Sequence, residues 1–139
     1  MDWKEVAIGD YVKHSIMLKD HKYEKDIQIT NIYGSEVNCE VRDYQILSGI
    51  YVSELFPIQL TYDFFIKNDF LPSNNELIWN NGTGTDYINI KYKKNKDSQF
   101  ICTKIKAVIG KQYINYHGII TAVHELQHIL RVCGIELKN

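Results

Sequence analysis

Apolar residues that alternate with polar ones, in short runs broken by turn chemistry, most constrain what this chain can fold into. Ile27 and Ile29, then Val37, Cys39 and Val41, each sit between polar neighbours, and period two marks a strand with one face buried. Tyr33-Gly34-Ser35 lies between the two runs, so residues 25 to 42 read as a hairpin. Upstream, Val6-Ala7-Ile8-Gly9-Asp10-Tyr11-Val12 sets a Gly-Asp turn between apolar residues, as at the start of a small barrel. Ile50-Tyr51-Val52 follows another glycine and is placed to close the sheet.

Pro57 and Thr61 interrupt this pattern. Thr61 is suited to N-cap a short helix through Lys67, with Asp63 near its positive end and Phe64 and Phe65 packing inward. Pro72 and Ser73-Asn74-Asn75 stop it. Leu77-Ile78-Trp79, the run from Tyr87 through Ile90 to Tyr92, and Phe100 to Ile109 then resume strands, giving a second hairpin. At the end of the chain Ile119, Val123, Leu126, Ile129, Leu130 and Cys133 follow helical spacing. They predict a helix over 119 to 132, with Gly134 as its C-terminal cap. The expected fold is α+β: an SH3-like small barrel or curled antiparallel sheet, then a second hairpin sheet packed on a C-terminal helix. All 139 residues read as a single domain, its β-rich half ending near residue 60 and its α+β half starting near 61.

Lys plus Arg number 16 against 17 Asp plus Glu, a formal charge of -1. That balance removes the usual reason to expect duplex DNA or an anionic membrane as partner, although it does not speak to a local basic patch. Cys39, Cys102 and Cys133 are odd in number and form no CxxC pair, which fits reduced, buried thiols in a cytosol. Met1-Asp2-Trp3-Lys4-Glu5 is unlike a signal peptide. No apolar run approaches the roughly 20 residues that span a bilayer. A cytoplasmic protein is expected.

His124-Glu125-Leu126-Gln127-His128 matches H-E-x-x-H. Two histidines four apart on a helix can share a zinc ion, with the glutamate activating a bound water. The context argues against this alternative. No third histidine follows, and only Cys133 and Glu136 remain downstream as ligands. His124 and His128 also fall nearly opposite the stripe of Leu126 and Leu130, so the pair is expected on a polar, solvated side with Thr121, Gln127 and Arg131. The charge of Arg131 opposes a dication. Neither a metal nor another cofactor is expected.

The same polar side carries the most concentrated binding chemistry. Tyr116 and His117 precede it, and His124, Gln127, His128 and Arg131 follow. Together they offer donors, an aromatic face and a positive charge to a phosphate-bearing or adenine-bearing ligand. Tyr87, Lys91 and Lys93 form a second candidate, within a run that interleaves tyrosine with lysine as nucleotide and single-strand binders do. A solvated edge strand explains that run as well. The loop Asn80 to Asp86 offers backbone N–H groups but lacks the lysine and following helix of a P-loop.

Three segments together resemble one family. They are Ile8-Gly9-Asp10-Tyr11-Val12, Leu55-Phe56-Pro57-Ile58-Gln59-Leu60-Thr61, and Tyr116-His117 with His124 through Ile135. The family consists of small proteins carried by phages, prophages and mobile elements of gut bacteria, with an IGD.V start, a PIPLT centre and an HELQH..LR.CG helix. Phe56 and Gln59 depart from its central pattern. The resemblance implies that glutamine is allowed at the position of Glu125, and that the protein acts in the contest between phage and host. The expectation is a non-enzymatic accessory protein in the bacterial cytosol that sequesters a nucleotide-derived immune signal. Binding a host defence protein is the alternative partner, and homo-oligomerisation stays open.

Overall fold

The computed structural model describes residues 5 to 41 and 45 to 139, without the side chain of Gln45. Met1 to Lys4, on which the signal-peptide reading rested, and Arg42, at the end of the first expected hairpin, lie outside the described residues. The chain forms two compact units, Met1–Ile58 and Gln59–Asn139, divided close to where the strand pattern breaks at Pro57. Each unit is built on one antiparallel five-stranded sheet.

The first unit contains β1 (Tyr11–Leu18), β2 (His21–Tyr33), β3 (Glu36–Val41), β4 (Gln45–Tyr51) and β5 (Leu55–Phe56), with a single 3-10 turn at Val52–Glu54. The strand order is β4-β3-β2-β1-β5. β4 and β5 are therefore edges, and the sheet is the curled alternative rather than a closed barrel. Val12, Ile27, Ile29, Val37, Cys39, Val41, Ile50, Val52 and Leu55 form its core, which makes the alternating residues of the sequence its buried face.

The Gly-Asp turn has a local cause. Gly9 sits at φ 93°, the left-handed geometry that a type II turn needs at its third position. The amide of Asp10 donates to the Ala7 carbonyl at 3.1 Å, and the amide of Ala7 donates to the buried Asp10 carboxylate at 2.7 Å. The hairpin of β1 and β2 reaches further back than the pattern predicted. It turns at Lys19-Asp20, both at positive φ, and residues 21 to 26 of β2 are exposed. Two strands that project past the core carry no apolar alternation to read.

The second unit contains α1 (Tyr62–Lys67), β6 (Leu71–Ser73), β7 (Glu76–Asn80), β8 (Tyr87–Lys94), β9 (Phe100–Ile109), β10 (Gln112–Ile120) and α2 (Val123–Arg131). Its sheet is a simple meander ordered β10-β9-β8-β7-β6. α1 is capped as its sequence indicates: Thr61 Oγ1 accepts from the amide of Phe64 at 3.2 Å. Phe65 packs edge-on to Phe70 and lies 5.6 Å from Phe100 at the start of β9. Leu77, Ile88, Ile90, Ile105 and Ala107 are fully buried on one face of the sheet, as are Val123, Leu126 and Leu130 on α2.

The C-terminal helix is shorter than its periodicity suggested. Residues 112 to 120 are strand β10 and the helix begins at Val123. Ile119, counted in the helical stripe, is 67% exposed. The segment before the helix is rich in Tyr and Ile, which favour a pleated surface over a helix. Among the described residues no helix is long and apolar enough to cross a membrane.

Candidate functional site

The HELQH segment occupies α2, and its glutamate already has a task. Glu125 is the third residue of the helix, and its Oε1 accepts from the amide of Ala122 at 3.0 Å, with the amide and hydroxyl of Thr121 at 3.4 Å. A carboxylate reaching back from this position satisfies amide donors at the helix start and complements the positive end of the helix dipole. Ala122, at the N-cap, has no side-chain acceptor of its own. The glutamate that a zinc reading would make a base is therefore the cap of its own helix.

His124 is buried rather than on a solvated side, and His128 is half-buried. His124 and Gln127 are buried together with Val123, Leu126 and Leu130, so the buried arc of α2 extends well past its aliphatic stripe. The rings of His124 and His128 meet edge to face, 5.8 Å between centroids. Among the described residues no group of three or more His, Cys, Asp and Glu side chains is arranged to hold a metal ion. Arg131 Nε lies 3.9 Å from Glu136 Oε1, so the guanidinium faces a carboxylate of its own chain.

Tyr116 and His117 point to opposite faces of their sheet, so they do not both face one side. Successive residues of a strand point to opposite faces. Tyr116 pairs with the buried Ile105 and His117 with Lys104, and the Tyr116 phenol folds back along its own strand over Gly118. Of the expected set Tyr116, His117, His124, Gln127, His128 and Arg131, His124 and Gln127 are buried, and Tyr116 and His117 lie on opposite faces of the sheet, His117 on the side away from the buried face.

That other side carries a different set. Residues directly opposite on neighbouring antiparallel strands share a face, and the pairings of β7 to β10 define three rows. The first runs Glu76, Lys91, Lys104, His117; the second Ile78, Asn89, Lys106, Asn115; the third Asn80, Tyr87, Val108, Tyr113. None of these residues is buried. The reverse face holds Leu77, Ile90 and Ile105, all fully buried, so the alternation is complete. Lys93, two residues beyond Lys91 on β8, is exposed as well. A bulge between Lys91 and Tyr92 lets Thr103 donate to the Lys91 carbonyl at 3.4 Å. Around it Glu76, Lys91, Tyr92, Lys93 and Thr103 line a shallow depression.

The lysines of this face are only partly matched: Lys91 has Glu76 opposite it on β7 and Lys104 opposite it on β9. Lys91 and Lys104 are direct cross-strand neighbours, an arrangement that costs stability because like charges face each other. Among the described residues no ion pair within 4.0 Å engages Lys91, Lys93, Lys104 or Lys106. Such a surface can accept phosphate oxygens on its ammonium groups and a flat ring against Tyr87 or Tyr113. By contrast the loop from Asn80 to Asp86 uses its groups internally: Asn80 Oδ1 accepts from the Gly82 amide at 2.9 Å and Asn81 Oδ1 from the Thr83 hydroxyl at 2.9 Å.

Sequence reasoning reached Tyr87, Lys91, Lys93 and His117 but missed Lys104, Lys106 and Tyr113. The signal was present in Lys104-Ile105-Lys106-Ala107, where lysines alternate with core residues. Only the register shows that they align with Lys91. The three cysteines are buried and free; burial pushes the Cys39 thiol up to about 11 and that of Cys102 to about 12, and raises Cys133 as well. No protein-family profile, curated protein or solved structure matches the chain.

Proposed function

We propose that the protein is a non-enzymatic binder of a nucleotide-derived, phosphate-bearing ligand, held on the open face of the second sheet. The observation that carries this reading is the direct juxtaposition of Lys91 and Lys104, with Lys106 in the adjacent row and His117 at the end of the same one. A bound polyanion offsets the repulsion that this arrangement builds in. Tyr87 and Tyr113 on the same face supply ring surfaces for a base. The capping role of Glu125 supports binding over hydrolysis, because it gives the HELQH segment a structural purpose. The three-segment resemblance to small phage and prophage proteins gives the setting: sequestration of a nucleotide immune signal in the host cytosol.

Calorimetric titration with ATP, inorganic pyrophosphate, and a linear and a cyclic dinucleotide tests the reading. The expected result is binding to at least one of them that weakens with added salt and is lost in Lys104→Glu without loss of fold. Absence of binding to all four, or equal binding by Lys104→Glu, refutes it.

A further inference from the structure

β10 is one edge of the second sheet, and its composition is unlike that of its neighbours. From Gln112 to Ile120 it contains no Lys, Arg, Asp, Glu or Pro, whereas β8 carries Lys91, Lys93 and Lys94 and β9 carries Lys104 and Lys106. Edge strands are ordinarily protected from pairing by charges, proline or bulges. Here only the far end is blunted, by the bulge between His117 and Ile120. The regular stretch from Gln112 to His117 keeps its outer backbone groups open, with Tyr113 60% and Tyr116 37% exposed.

We infer that β10 pairs with β10 of a second copy of this chain, antiparallel and centred on Asn115, and that the nucleotide site proposed above is completed across that seam. The occupant follows from the sequence of the strand. An uncharged strand meets its own copy with no like charges opposed. Centring on Asn115 sets Ile114 against Tyr116, Tyr113 against His117 and Asn115 against itself. The first two are β-branched–aromatic and aromatic pairs, the kinds that stabilise cross-strand contacts. Centring on Ile114 instead would set Lys111 against His117, two basic groups.

The two-fold axis keeps matching faces together, so the open faces of the two sheets become continuous. The row of Lys91, Lys104 and His117 from one copy then runs into Tyr113, Val108 and Tyr87 of the other. At the usual strand spacing, Lys104 and the other copy's Tyr113 are about 10 Å apart, the reach of one nucleotide from phosphate to base. Within a single copy Lys91 and Lys104 lie two rows from Tyr87 and Tyr113, and of the lysines Lys106 alone lies in the row between. Pairing places the two outer rows end to end.

The test uses the full chain, sedimentation analysis up to about 0.1 mM, a concentration that fills an interface of low-micromolar Kd, and two variants. Asn115 is exposed, so Asn115→Lys and Asn115→Glu leave the fold intact while setting like charges against each other across the axis. The parent is expected to be a dimer and both variants monomers. ATP is expected to bind the parent about fivefold or more tighter than pyrophosphate, the lower end of what stacking one base on an aromatic ring contributes. Diluted below the dissociation concentration that sedimentation gives for the dimer, the parent is expected to lose that advantage while pyrophosphate still binds. A monomeric parent, or a dimer that survives both substitutions, overturns the pairing. A parent that keeps the ATP advantage while monomeric on dilution overturns the shared site. If the parent binds neither probe, the nucleotide reading fails, and sedimentation still decides the pairing by itself.

Discussion

Removing the Glu125 carboxylate separates a helix cap from a catalytic base. Its Oε1 makes one contact of good length, 3.0 Å to the Ala122 amide, and two at 3.4 Å to Thr121. A single well-formed, half-exposed cap bond of this kind contributes about 1–2 kcal/mol, so Glu125→Ala is expected to lose that much. Glu125→Gln keeps the acceptor oxygen and loses only the interaction of the charge with the helix dipole, about 0.3–1 kcal/mol. Urea denaturation of the three proteins, at constant m-value, provides the comparison. The order parent, Gln, Ala is the expected outcome. Equal stability of Glu125→Ala and the parent would show that the cap is inert. A chelator-induced loss of parental stability would instead favour a metal-dependent fold.

Three further outcomes follow from the same geometry. Leu126 is fully buried, and Leu126→Ala is expected to cost about 2–5 kcal/mol in a urea melt; no loss would mean that α2 is peripheral to its unit. The buried thiols of Cys39 and Cys102 should resist a thiol-specific dye at neutral pH until the chain is denatured, and rapid labelling of the native protein would contradict their placement. Because their folded pKa values, about 11 and 12, lie above the ordinary 9.0, the unfolded chain releases these protons first. Their contribution is complete below about pH 9 and falls as pH rises from there, through about 11 for Cys39 and about 12 for Cys102. Cys102→Ala should flatten that alkaline decline, and an unchanged slope would refute the assignment.

The sequence was most legible where one face of an element is buried. Ile27, Ile29, Val37, Cys39 and Val41 announce the first core, and Thr61 with Asp63, Phe64 and Phe65 announces α1, because burial and capping leave local patterns. The β1–β2 extension left none, since His21 to Asp26 are exposed and polar. Only the end of β10, Ile119 and Ile120, was read as helix, because Ile119, Val123 and Leu126 satisfy a helical spacing by coincidence. Burial of His124 and Gln127 could not be read from polarity, which gives a helix side its expected solvent face but not its neighbours. The lysine rows were hidden for another reason. Lys91, Lys104 and His117 are separated by more than ten residues each, and only strand register aligns them.

The proposed function places a phosphate-bearing ligand on the open face of β7 to β10 rather than on the polar side of α2. Backbone amide NMR shifts during titration with ATP locate the ligand directly. The changes are expected to concentrate at Lys91, Lys104, Lys106, Tyr113 and His117. Changes centred on His124, Gln127, His128 and Arg131, or none at all, would contradict that placement.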